Sequence, residues 1–163
     1  TLGATLAAVN EYAEGYMVIS DAAGEGRAYR ISSHPAAASA ASLVLTLAEP
    51  IEDTALTTSS EVSLVHNTYN AVVEGTSSTD QPAGVPLVSI TAAEYGWLQT
   101  KGVAAVLADE TLTLGAWLTA GTSVAGAVEE MDDVTAPITD NLVGYAIVAG
   151  VDTEYRPVYL CID

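Results

Sequence analysis

The sequence predicts an all-β protein of short antiparallel strands in a barrel or sandwich, with little helix and room for two β lobes. Three observations carry that prediction. Apolar runs have the length of ordinary strands and alternate with period two. Glycines and Asp/Asn/Ser clusters punctuate them at close spacing. No βαβ rhythm of about 30 residues, the unit of a parallel doubly wound sheet, is present. The C-terminal half shows the pattern best, in Tyr95-Gly-Trp-Leu-Gln-Thr-Lys-Gly102, Val103-Ala-Ala-Val-Leu-Ala108, Thr111-Leu-Thr-Leu-Gly115, Ser123-Val-Ala-Gly-Ala-Val128, Leu142-Val-Gly-Tyr-Ala-Ile-Val-Ala-Gly150 and Glu154-Tyr-Arg-Pro-Val-Tyr-Leu-Cys-Ile162.

The chain opens on Thr1-Leu-Gly-Ala-Thr-Leu-Ala-Ala-Val9, apolar but too short to span a bilayer. It lacks the basic n-region of a signal peptide. It reads as an extended arm or first strand that could lie across a neighbour and add to an exposed sheet edge. Because the first residue is not Met, residues upstream are expected to have been removed.

The clearest hairpin follows. Gly15-Tyr-Met-Val-Ile-Ser20 leads into Asp21-Ala-Ala-Gly-Glu-Gly26, and Arg27-Ala-Tyr-Arg-Ile-Ser32 returns. Asp21 opens the turn, Gly24 or Gly26 supplies positive φ, and Tyr29 and Ile31 share one face. Gly24-Glu-Gly-Arg27 is no phosphate loop, since no Lys-Ser/Thr and no helix follows it. Ser33 to Ser42 is the one segment of helical composition, enough for one or two turns between strands and too short to hold alone. Leu43-Val-Leu-Thr-Leu47 resumes alternation until Glu49-Pro50. Thr58-Ser-Ser-Glu61 has capping-box spacing, but the period-two run Glu61-Val-Ser-Leu-Val65 argues for a strand. Asn70-Ala-Val-Val-Glu74 is another short one.

Gly75-Thr-Ser-Ser-Thr-Asp-Gln-Pro-Ala-Gly84 is polar and carries Gly and Pro without apolar periodicity. The expected organisation is therefore an N-terminal β lobe over 1–75 with its apolar arm, a linker or long loop over 76–84, and a C-terminal β lobe over 85–163. Val85-Pro-Leu-Val-Ser-Ile90 reads as a strand, and Thr91-Ala-Ala-Glu94 as a single helical turn. Trp97 alternates with Tyr95 and Gln99, which makes that face heavy and expected to pack the core. Trp117, after the Gly115-Ala116 turn, fits an exposed anchor as well as a core position.

Composition limits function. A chain of 163 residues with half of them hydrophobic can build a core, burying roughly 70% of its unfolded surface. Its apolar content is mostly Ala, Val and Leu, with no Phe. Arg27, Arg30, Lys101 and Arg156 stand against 21 acidic residues, for a net charge of −17. That charge repels phosphate backbones and anionic membrane surfaces, so neither nucleic acid nor membrane is expected as a partner. It favours solubility or a basic partner surface.

The residues do not assemble a chemistry. His34 precedes Pro35 in a loop and His66 precedes Asn67 at a strand end, and neither has the spacing of an HExxH, Cys-His or Ser-His-Asp set. Both read as surface or capping histidines. Cys161 excludes an intrachain disulfide and reads as a buried inert thiol. Glu129-Glu-Met-Asp-Asp133 and Asp109-Glu110 are acidic without EF-hand spacing, so they read as a solvated loop or a weak calcium or magnesium site at a subunit contact. A glycosidase would need two acids converging in an aromatic-lined cleft, and singly spread Trp and Tyr do not advertise one. The expectation is a non-enzyme with no catalytic residue, no cofactor and no tight metal site; the residues of any interface stay unassigned.

Several stretches together resemble structural proteins of tailed-bacteriophage heads: Tyr95-Gly-Trp-Leu-Gln-Thr-Lys-Gly-Val-Ala-Ala-Val-Leu-Ala-Asp109 with Leu114-Gly115 and Gly126, Val143-Gly-Tyr-Ala146, and Thr153-Glu-Tyr-Arg-Pro-Val158. In the N-terminal half Gly15-Tyr-Met-Val-Ile19, Gly24-Glu-Gly26, Tyr29-Arg-Ile31, Ser33-His-Pro-Ala-Ala37 and Glu61-Val-Ser-Leu-Val65 continue the likeness. The resemblance covers most of the chain through β and turn signatures. It implies a capsid decoration (cement) protein: a virion component on the outer surface of the phage head, made in the host cytoplasm, trimeric, with the major capsid protein as partner. No functional residue carries over, because the family has no catalytic motif. The acidity departs from the family's pattern, a departure that a saline habitat would explain. Another virion component (head fibre base, neck or tail protein) and a bacterial extracellular β-type binding module are the alternative readings.

Overall fold

The computed structural model describes residues 2–52, 55–131 and 139–162. The fold is all-β, and no helix occurs among the described residues. The chain divides into two compact units, Thr1–Asn70 and Ala71–Asp163.

In the first unit four antiparallel strands lie in the order β3-β2-β1-β4, with β1 Tyr16–Asp21, β2 Ala28–Ser33, β3 Thr46–Leu47 and β4 Glu61–Val65. The hairpin read from the sequence is present, with Met17 opposite Tyr29 and Tyr16 opposite Arg30. Its turn uses positive φ at Ala22, Gly24 and Gly26, and the Asp21 carboxylate accepts the Ala22 N–H at 2.7 Å. Gly24 is needed for space as well as for φ, since a Cβ there would lie 2.8 Å from the Leu56 side chain. Tyr29 and Ile31 share the buried face and form a small core with Met17 and Ile19, flanked by Tyr12, Leu45, Leu47, Leu56 and Leu64.

Two expectations for this unit are corrected. Ser33 to Ser42 forms no helical turn. The segment pairs with the N-terminal residues through an Ala7–Ala37 antiparallel bridge, and Leu2 N–H donates to the Ala41 carbonyl at 2.8 Å. Those cross-chain bonds occupy the amides and carbonyls that a helix would have used within itself. By the same contacts residues 2–9 are not a free arm. Ala7 is buried, and Ala40 N–H and Ser39 Oγ bond back to Gly3 and Ala4. Leu43 to Leu47 pairs only at Thr46 and Leu47, beside β2.

The second unit holds a two-stranded hairpin, β5 Val85–Pro86 with β6 Leu98–Gln99. Its main sheet is five-stranded in the order β7-β11-β10-β8-β9, from β7 Lys101–Leu107, β8 Trp117–Ala120, β9 Val128–Glu130, β10 Gly144–Ala146 and β11 Tyr155–Cys161. The long β7–β11 pairing runs from Tyr155 opposite Leu107 to Cys161 opposite Lys101. The two edge strands approach each other where Ala108 bridges Val128 in parallel and the Asp109 N–H donates to the Val128 carbonyl at 2.8 Å. The sheet therefore curls, as small barrels do to remove free edges. Ala104, Val106, Ala108, Leu118, Val128, Val143, Ala146, Val158 and Leu160 fill the concave side, with Leu112 beside them. Small residues suit a space this tight, which explains the Ala/Val-rich composition.

Several runs that alternate in sequence lack a ladder here. Asn70 to Glu74 is irregular, with Ala71 at φ 56°. Past Pro86, which has no N–H to give, β5 stops. Thr111 to Gly115 is a connection in which only Leu112 is buried, held by reciprocal bonds with Gly150. Ser123 to Ala127 is a turn with Gly126 at φ 75°, and the strand begins at Val128. Thr91 to Glu94 closes one turn through Glu94 N–H to the Thr91 carbonyl, but Ala93 at φ 66° makes it non-helical.

Residues 76–84 lie inside the second unit. The Asp80 carboxylate accepts the Thr76 and Ser77 N–H groups, Thr119 Oγ1 donates to the Ser78 carbonyl, and Asn141 Nδ2 donates to Thr79.

Candidate interaction surface

The acidic side chains have a local task before any functional one. A fold with so many irregular turns leaves many amides without ladder partners, and carboxylates accept them. Asp109 accepts Ser123 N–H at 2.7 Å and Val124 N–H at 3.1 Å. Glu129 accepts the N–H and Oγ1–H of Thr122 at 3.0 and 2.9 Å. Glu110 accepts Glu130 N–H at 2.8 Å, and Glu130 in turn accepts Thr113 N–H. Glu11 does the same for Ala8 in the first unit. The acids of 129–130 and 109–110 are thus turn acceptors that remain open to solvent, while Asp132 and Asp133 lie outside the described residues. Among the described residues no group of three or more His, Cys, Asp or Glu is arranged to hold a metal ion. Arg30 pairs with Glu14, and Arg156 with Glu154.

His34 is not a surface residue: it is 3% exposed. Its Nε2 accepts the Tyr12 N–H at 2.9 Å, which places the ring proton on Nδ1, facing the Pro35 carbonyl at 2.9 Å. Asn10 completes the arrangement, with Oδ1 accepting His34 N–H and its own N–H donating to the His34 carbonyl. His66 is exposed and lies against Tyr12, ring centroids 4.3 Å apart. The buried imidazole serves as a backbone partner. Cys161 is half-buried rather than buried, and free.

The convex side of the five-stranded sheet carries an aromatic ladder. Tyr145 sits opposite Trp117 on β8 and opposite Tyr159 on β11. Tyr145 and Tyr159 stack with centroids 5.3 Å apart, and Trp117 meets Tyr145 edge-on at 5.7 Å. Trp117, Tyr155 and Val103 on the same side are each more than half exposed. An outward sheet face is ordinarily polar, and this one carries aromatic or aliphatic side chains on four strands, with Lys101 at its edge.

The second apolar surface is the β5–β6 hairpin. Trp97 was expected in the core; it is 91% exposed, and Tyr95 is fully so. No residue from 95 to 100 is buried: Tyr95 to Trp97 are exposed, and Leu98, Gln99 and Thr100 are half-buried. A period-two pattern defines two faces without saying which is buried. Leu87 and Val88 across the hairpin are 70% and 72% exposed. The loop is nonetheless built. Ile90 folds over Gly96, where a Cβ would fall 2.3 Å from Ile90 Cδ1, and the Thr91–Glu94 turn closes at 3.0 Å.

In the first unit a shallow recess of about 280 Å³ lies between Arg27, Ala28, Tyr29, Glu49, Pro50 and Glu52. It opens widely to solvent and brings together no nucleophile with a base. No helix of the structure is long and apolar enough to cross a membrane, among the described residues. In comparison with known proteins, no family model, no curated protein and no solved structure matches this chain.

Proposed function

We propose that this chain is a capsid decoration protein: a non-enzymatic virion component that binds the outside of a tailed-phage head as a homo-oligomer and ties neighbouring major capsid subunits together. The observation that carries the reading is the aromatic ladder Trp117–Tyr145–Tyr159 on the convex sheet face. Trp and Tyr are the residues on which interface energy concentrates, and the ladder holds them in place before any partner arrives. The β and turn signatures that resemble phage head proteins support the same reading.

Repetition on a shell makes such a surface effective. Several weak contacts engaged together raise apparent affinity by about 10²–10⁴ over one contact. The test is co-sedimentation of the purified chain with assembled, expanded shells that lack it, with unassembled capsid subunits as control. Saturable binding to shells, reduced at least 10-fold by Trp117→Ser with an unchanged melting temperature, supports the reading. Binding to neither shells nor subunits contradicts it.

A further inference from the structure

We propose that the β5–β6 hairpin is a self-association contact, in which Leu87, Val88, Tyr95 and Trp97 of one copy pack against a second copy of this chain. The inference names the contact within the homo-oligomer of the preceding reading and rests on that part of it. Three observations carry it.

The first is area. Tyr95 and Trp97 expose nearly their whole side chains, with Leu87 and Val88 about seven-tenths exposed beside them. Aromatic side chains bury roughly 150–250 Å² each. With the two aliphatic residues they supply most of the roughly 800 Å² per partner of a standard interface. The second is order. The loop is closed by Ile90 over Gly96 and by the Glu94 N–H to the Thr91 carbonyl, with Ala93 left-handed at φ 66°. The loop backbone is therefore in place before docking, and the ordering left to docking is that of the exposed side chains.

The third is charge. The chain carries −17, so two copies repel wherever carboxylates face each other. Between Gln81 and Thr100 the only charged side chain is Glu94. A basic partner drawn to this chain would dock on its acids; a second copy meets least repulsion where they are missing. Interface cores are poor in charge and rich in aromatics, as this hairpin is.

The experiment is sedimentation equilibrium of the full chain at 0.1 M and 1 M NaCl, repeated with Trp97→Ser and with Leu87→Ser. At 1 M salt the screening length falls to about 3 Å, so the residual repulsion between copies is removed and association strengthens. The expected result is an oligomer that tightens with salt and whose dissociation constant rises about 30-fold or more in Trp97→Ser, the loss typical of a hot spot. At protein concentrations below the dissociation constant both variants retain the wild-type melting temperature, because neither side chain packs a core. A wild-type monomer at both salt concentrations overturns the proposal together with the homo-oligomer. An oligomer unaffected by either substitution overturns the hairpin contact alone. If Trp97→Ser stays oligomeric and loses binding to shells, the hairpin is the shell contact instead and the proposal fails.

Discussion

The Asp109 carboxylate holds the Ser123 amide at 2.7 Å across fourteen residues of sequence, and its second partner, Val124, lies at 3.1 Å. The contact fixes the turn that precedes β9 beside the end of β7, next to the Ala108–Val128 bridge that brings the two sheet edges together. Packing is tight there: a Cβ on Gly121 would lie 2.7 Å from Asp109 Oδ2. Asp109→Ala removes both bonds and is expected to cost about 1–3 kcal/mol, with Asp109→Asn nearer the low end because it keeps one acceptor. Urea denaturation of the two variants checks the order. Equal stability of Asp109→Ala and wild type would show the carboxylate to be ornamental.

His34 makes a comparable case in the first unit. Replacing it with Leu keeps the volume roughly constant but leaves the Tyr12 N–H and the Pro35 carbonyl without their ring partners. The expected cost is about 1–3 kcal/mol, read as a lower melting temperature. His34→Gln, which offers an acceptor to Tyr12, recovers part of it.

The N-terminal residues are expected to contribute to folding rather than to reach outward. Deleting residues 1–8 removes the Ala7–Ala37 bridge and the bonds from Leu2 and to Gly3. The first unit then loses stability, and amide exchange over 37–41 accelerates. Unchanged exchange there would mean that the segment is a free arm after all.

A buried and an exposed side chain separate stability from association. Leu160→Ala in the buried centre of the five-stranded sheet is expected to cost about 2–5 kcal/mol. Trp97→Ala, at a side chain that is 91% exposed, is expected to change unfolding by no more than about 0.5 kcal/mol. Chemical denaturation monitored by tryptophan fluorescence measures the first, and far-UV circular dichroism the second.

Much of the fold was legible. The Tyr16–Ser33 hairpin announced itself because turn chemistry and alternation agree there: Asp21 opens, Gly24 and Gly26 take positive φ, and Tyr29 and Ile31 fall on one side. The strand over Tyr155–Cys161 was legible from its length and β-rich composition. What sequence could not give was the sign of a face. Trp97 and Leu98 alternate equally well either way, and the choice depended on pairing with Val85 and Pro86. It also could not show that acids at 109, 110, 129 and 130 would be spent on amides far along the chain, because those amides are orphaned only once the turns exist. His34, read as a surface or capping residue, does cap a backbone N–H, but its burial was not legible, for a related reason. Its partner Tyr12 lies 22 residues away, and only the fold brings that N–H to the ring. The aromatic ladder left a faint trace, since Trp117, Tyr145 and Tyr159 each sit in strand-like runs, but their register across β8, β10 and β11 was not readable.

The most direct test of the central claim is co-sedimentation with assembled, expanded capsid shells lacking this chain. The account predicts saturable binding to shells and none to free subunits, with a copy number at saturation that matches a class of symmetry sites and an affinity that falls at least 10-fold in Trp117→Ser. Absence of binding to shells by the correctly folded wild-type chain would contradict it.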